Sequence, residues 1–394
     1  MPLIDRKLRR VGRGRGKLSS TIGAVNRAIV AGCMLLPGAA CATHFSDVPP
    51  APGMEVLTYL GTPTRAPAAD ITIDTAPEPA WTSTEIRGTV GVPAVAGPVV
   101  LISTVDRWIY ALNASTGEPY WRHRAPGTMS TGPLIANGTV LAATQGREGT
   151  VVALDLRTGK RRWEAEVGDV SSPLVVAGGN VYGATQTGAV FAFAIQNGAR
   201  LWLVGGIPTR SGPMIIGEHL VIATLRDSLI VLRPSTGRLV SRTRLPATTI
   251  APLALVDDST VALSSPAGEV LALAVPSGDV RWRVPAPSPI FGAPVSARDT
   301  VFALSNDGVL LAIPVRDPGG LVQTPIGGLS VATPLILRHG VLVAMVDGDV
   351  IYFDRVTGRR VWMRRAGGEL RHPPIVANGR IVVAPLLGDV TSFR

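Results

Sequence analysis

Pro133-Leu-Ile-Ala-Asn-Gly-Thr-Val-Leu-Ala-Ala-Thr144 opens a unit that continues as Gly149-Thr-Val-Val-Ala-Leu-Asp-Leu-Arg-Thr-Gly159 and closes as Lys160-Arg-Arg-Trp-Glu-Ala-Glu166. Asn137-Gly138 separates two short β-rich runs, a hairpin signal because both residue types tolerate the positive φ of a two-residue turn. The second piece reads as a third strand ending in a Thr-Gly turn, and the third piece as a fourth strand. Four short strands in about 40 residues make the blade of a propeller.

The unit recurs. A proline followed by apolar residues stands at Pro93, Pro133, Pro173, Pro213, Pro252, Pro294, Pro334 and Pro374, at intervals of 39 to 42 residues. A turn glycine follows at Gly117, Gly159, Gly198, Gly237, Gly278, Gly319 and Gly358. Two anchors sharing one period make coincidence implausible, so the sequence predicts an all-β, eight-bladed propeller over residues 78–394. The fourth strand often carries a Trp four residues after that glycine: Trp121, Trp163, Trp202, Trp282 and Trp362. A large ring at a constant place is expected to dock each blade on its neighbour. Ser241 and Gln323 stand at the equivalent positions of two blades, which are expected to dock more loosely. The last unit stops at Arg394 without a fourth strand, whereas Pro79-Ala-Trp81-Thr-Ser-Thr-Glu-Ile86 has the Trp of a fourth strand and nothing before it. Residues ~79–86 are therefore expected to complete blade eight beside Val390 and close the ring.

The chain has 394 residues, 46% of them apolar, with 44 Gly and 33 Pro, which suits many short strands and tight turns. Its net charge of +10 is concentrated early. Residues 1–41 hold eight basic residues against Asp5 alone, leaving about +3 on the remaining 353, too little for a general phosphate-binding footprint. No nucleic-acid partner is expected. The basic stretch precedes the apolar run Ala28-Ile-Val-Ala-Gly-Cys-Met-Leu-Leu-Pro-Gly-Ala-Ala40, which reads as an export signal and falls short of a membrane span. Gly38-Ala-Ala-Cys41 resembles a bacterial lipoprotein box and makes Cys41 the expected lipidation site. Cys33 after Val30-Ala-Gly, or ordinary cleavage near Ala42, are the alternatives, although cleavage at Cys33 leaves only five apolar residues after Arg27. Residues 42–77, with Pro49-Pro-Ala-Pro-Gly53 and Thr62-Pro-Thr-Arg-Ala-Pro67, are expected to be a flexible tether.

Chemistry-bearing patterns are sparse. Asp155, Asp257, Asp258, Asp307, Asp347 and Asp349 fall in turns, where Asp serves turn geometry. The histidines, His44, His123, His219, His339 and His372, show no metal-ligand spacing, and His123 and His372 read as loop residues at one end of the ring. Ser-Ser-Pro at 171–173 and Ser211-Gly-Pro213 recur where blades begin and so read as structural. With only two cysteines, both in the leader, no disulfide or cysteine-held metal is expected in the folded domain. No catalytic constellation, metal site or cofactor site can be nominated. The most distinctive surface feature is the blade-seven cluster that includes Arg355, Arg360, Arg364 and Arg365. It reads either as charge that guards an outer edge strand or as a site for an acidic protein or anionic headgroup.

The phrase Ala153-Leu-Asp-Leu-Arg-Thr-Gly-Lys-Arg-Arg-Trp163, with its echoes at 111–121 and 354–362, resembles the repeats of pyrroloquinoline-quinone-type propellers. Two branches of that superfamily matter: quinoprotein dehydrogenases, and the BamB-type lipoproteins that help assemble outer-membrane β-barrel proteins. The enzymes resemble one another in a vicinal disulfide beside the cofactor, for which this chain has no cysteine pair. The resemblance therefore implies a non-catalytic envelope scaffold without a cofactor, lipid-anchored in the periplasm and working as a single propeller within the barrel-assembly machinery. A periplasmic quinone- or sugar-handling enzyme is the alternative. In BamB-type proteins a Leu-x-Leu-Arg segment contacts the barrel-inserting partner; Leu154, Leu156 and Arg157 match that wording.

Overall fold

The computed structural model describes residues 47–48, 68–69, 73 and 75–394. The leader with Cys33 and Cys41 lies outside the described residues. The described chain forms a ring of eight antiparallel blades, seven of four strands and one carrying a fifth. Blade two shows the pattern: Leu134–Ala136, Thr139–Ala143, Thr150–Asp155 and Arg161–Glu166 pair in order. Asn137 (φ 47°) and Gly138 (φ 67°) form its first turn, as the Asn-Gly dipeptide predicts. The two middle strands are nearly all buried and the outer strand is mostly exposed. Each blade thus hides both faces of its centre against its neighbours, at about 1.5–3 kcal/mol per fully buried Val or Leu.

Trp121, Trp163 and Trp202 each reach into the following blade, in an arrangement that also explains the glycines. Trp121 Nε1 donates to the Leu156 carbonyl (2.8 Å), Trp163 to Ile195 (2.7 Å) and Trp202 to Pro234 (2.7 Å), each in the following blade's last turn. A Cβ on Gly159 (φ +66°) would lie 2.6 Å from the Trp121 ring, so glycine there serves both the turn and the approach of the ring. Where Ser241 replaces Trp, its hydroxyl donates to Pro276 O, and Thr243 Oγ1 donates to Ser277 O (2.5 Å). That junction keeps its polar tie and gives up apolar area. Trp282 makes no such bond among the described residues. Blade six has replaced the usual turn by a 3-10 turn, Pro318–Gly320, so Gly319 is not equivalent to the other turn glycines.

Ring closure follows the sequence expectation. Pro79–Arg87 pairs with Asp389–Phe393, with Ser83 opposite Val390, and Arg87 meets Asp389 at 3.3 Å. Glu78 and Arg394 exchange both backbone hydrogen bonds at 2.9 Å. Blade eight has no turn between its last two strands because Asp389–Phe393 and Pro79–Arg87 come from distant parts of the chain. The preceding residues fill that place: Ile73 O accepts from Trp362 Nε1 (2.9 Å), Pro77 O from Arg364 Nε (3.0 Å), and Glu78 pairs with Arg364 (2.8 Å). The residues at 73 and 75–78 thus belong to the ring, although the composition of 42–77 suggests a free tether. Two further points of that stretch touch the ring: Ala68–Ala69 adds a parallel strand to Leu335–Leu337, and Val48 is fully buried.

Candidate partner-binding site

The turn after strand Thr150–Asp155 is built by Asp155. Its Oδ1 accepts the backbone N–H groups of Arg157 (3.1 Å) and Thr158 (3.0 Å) and the Thr158 hydroxyl (3.0 Å), while Oδ2 meets Arg162 at 2.6 Å. Partial burial pushes this carboxyl up, but the hydrogen bonds from Arg162 and Thr158 outweigh it and hold the group below its ordinary range. Asp354, Asp257 and Asp307 are likewise lowered by turn hydrogen bonds. These acids serve turns, as their positions suggest.

The three residues of the Leu-x-Leu-Arg segment part company. Leu154 and Leu156 are 0% and 1% exposed, inside the core shared by blades one and two. Their side chains cannot touch a partner without opening the blade, because Leu154 and Leu156, whose own carbonyl accepts from Trp121 Nε1, both point into the core around that ring. Only Arg157 reaches the surface, with a side chain 58% exposed. The chain's own Asp47-Val48 lies beside it. Val48 N–H donates to Arg157 O (2.9 Å), Arg157 Nε donates to Val48 O (3.4 Å), and Asp47 stands 3.9 Å from the guanidinium. Nothing in the proline-rich surroundings marks Val48 as a docking residue beyond its being apolar after an acid.

The blade-seven arginines are likewise divided. Trp362 and Arg364 share a face and hold Ile73, Pro77 and Glu78, so Arg364 is a closure residue. Arg365 pairs with Asp349 (3.2 Å) and Arg371 with Glu369 (2.5 Å), while Arg360 stays exposed. The first account of the cluster, charge spent on an outer strand, fits these contacts better than a single cationic site.

His372 lies in the loop that leads into blade eight, as expected, but its side chain is engaged. Its Nε2 accepts the Gly91 N–H at 3.0 Å, pinning blade eight to blade one, and burial followed by the nearby Arg371 pushes its pKa down to about 4. His123 lies on strand Pro119–Arg124 and is also lowered, chiefly by burial. Ser172 and Ser211 donate to the carbonyls of Ala184 and Ala223, consistent with structural roles. Among the described residues no group of three or more His, Cys, Asp or Glu is placed to hold a metal ion, and no helix is long and apolar enough to cross a membrane.

Comparison with known proteins agrees with this anatomy. A family model described as outer membrane protein assembly factor BamB matches residues 72–202, 149–243, 226–318 and 328–393. BamB of Burkholderia pseudomallei is 26% identical over 325 residues, covering 77% of this chain and 83% of the relative. The crystal structure of BamB from Moraxella catarrhalis superposes with a TM-score of 0.67 at 19% identity, covering 81% of this chain and all of that one. Quinohemoprotein alcohol dehydrogenase from Comamonas testosteroni gives 0.69 at 15% identity over 86% of this chain and 79% of its own, a likeness of fold alone. With family matches spanning residues 72–318 and 328–393, the chain belongs to the BamB family of outer membrane protein assembly factors.

Proposed function

We propose that this protein is a non-catalytic scaffold of the cell envelope that assists assembly of outer-membrane β-barrel proteins. The observation that carries the reading is the family match through every blade. Support comes from Asp155, Ser172, Ser211 and His372, whose polar atoms are committed to a turn, to backbone carbonyls and to a blade junction. In this reading the chain is exported, held to the outer membrane by lipid on Cys41, and faces the periplasm.

The exposed Arg157 turn is the contact to the barrel-inserting partner. Leu154 and Leu156 act there as the rigid base of the turn. Arg presents a planar donor fork suited to a carboxylate, and Asp47 shows the geometry in which one approaches. The test is a crosslinking pull-down from native membranes with the mature protein, followed by identification of what is captured. Recovery of the barrel-assembly machinery is expected, and capture of no membrane-bound component refutes the proposal.

A further inference from the structure

Charge is unevenly spread around the ring. Residues 171–250, which make blades three and four, hold seven arginines and only two acids, Glu218 and Asp227, whereas the rest of the chain after residue 41 has slightly more acids than bases. Asp227 is committed to the Thr248 hydroxyl (2.6 Å). Ion pairs elsewhere neutralise the outer strands, as in Arg162–Asp155, Arg283–Glu269 and Arg365–Asp349. Among the described residues none involves Arg200, Arg238, Arg242 or Arg244, all exposed on the outer edges of blades three and four.

The same edge is apolar. The positions flanking the docking Trp are Arg162 and Glu164 in blade two and Arg281 and Arg283 in blade five, but Leu201 and Leu203 in blade three, 47% and 49% exposed. Behind that strand, Arg200–Val204, a groove of about 390 Å³ runs along the junction with blade four. Val204, Gly205, Gly206 and Ile207 form one wall; Ile230, Leu232, Leu239 and Arg242 form the other. A side chain on Gly205 would meet nothing within 4 Å, so the groove is open there.

We propose that this groove docks an extended, acidic segment of a partner protein. Its apolar floor takes one or two aliphatic side chains, and Arg242, with Arg200, Arg238 and Arg244 around it, takes the carboxylates. Ile230 and Leu232, 1% and 2% exposed, back the groove, and Leu239, 61% exposed, is its open apolar surface. Four arginines outside the ion pairs of the described residues, around one apolar groove, match a partner that brings carboxylates and aliphatic side chains together. The proposal is independent of the Arg157 site, which lies on blade two.

The probe is a fluorescent twelve-residue peptide alternating Asp and Val, titrated into the mature protein beside its Lys-Val counterpart and phosphatidylglycerol vesicles. The acidic peptide is expected to bind, more weakly as salt rises, and to lose about tenfold or more affinity in Arg242→Glu. Gly205→Tyr, which fills the open part of the groove, is expected to give a similar loss, while Arg281→Glu in blade five changes nothing. Melting temperatures of all variants are followed alongside. Absence of binding, equal binding of both peptides, or an Arg242→Glu protein that binds as before overturns the proposal. Vesicle binding that depends on Arg242 while the peptide does not bind overturns it in favour of a lipid surface.

Discussion

Two chains, one beginning at Asp70 and one at Pro79, are expected to differ sharply in stability although both keep all eight blades and the closing strand. The shorter chain loses the Ile73 carbonyl that accepts from Trp362 Nε1 and the Pro77 carbonyl that accepts from Arg364. Trp362 is only 6% exposed, so its N–H is left nearly dry without a partner, a loss of about 1–3 kcal/mol. Ile73 and Ala76 also leave the apolar cluster around Trp362 and Tyr352, worth about another 1 kcal/mol at their partial burial. The Arg364–Glu78 pair adds little, below about 1 kcal/mol, because Glu78 is 75% exposed. Together these losses come to about 3 kcal/mol, which with a denaturant slope of about 3 kcal/mol/M lowers the urea midpoint by about 1 M. The assay is urea unfolding followed by Trp fluorescence on both chains. Coincident midpoints would show that Ile73 and residues 75–78 lie on the ring without holding it, and would refute the closure account.

Other consequences follow from close packing and from the His372 imidazole. Gly132→Ala, whose Cβ would stand 1.9 Å from Val92 O, is expected to cost about 3 kcal/mol or more in chemical denaturation, since only backbone is available to give way. A histidine at about pKa 4 in the fold and 6.5 unfolded takes its proton more readily once unfolded. Stability is thus full above about pH 6.5 and falls, by about 2 kcal/mol at this partly exposed ring, as pH drops toward 4. His372→Asn is expected to flatten that part of the pH–stability profile, as measured by thermal melts at fixed ionic strength.

Much of the fold is legible in the chain because each anchor has one physical reason. The prolines mark where blades begin, glycines sit where a ring and a positive φ coincide, and the orphan strand at Pro79–Arg87 matches the missing strand after Asp389–Phe393. The site is less legible. The Leu-x-Leu-Arg wording does not distinguish a repeat residue from a contact, and burial alone separates Leu154 and Leu156 from Arg157. The arginine cluster looks like one feature in sequence, but alternation along strand Arg360–Arg365 sends Arg364 to the closing segment and Arg365 to Asp349. Asp47-Val48, Ile73 and residues 75–78 are hidden in a composition that reads as tether, because a docking role there rests on single residues and on backbone carbonyls. His372 escapes notice for the same reason: its partner is the backbone of Gly91, far away in sequence.

The most direct test of the scaffold account is a titration of the purified mature protein with the purified barrel-inserting subunit, using wild type and Arg157→Glu. The account predicts saturable binding that weakens about tenfold or more in the variant while its melting temperature stays within about 2 °C. No binding by the wild type, or equal binding by both proteins, would contradict it.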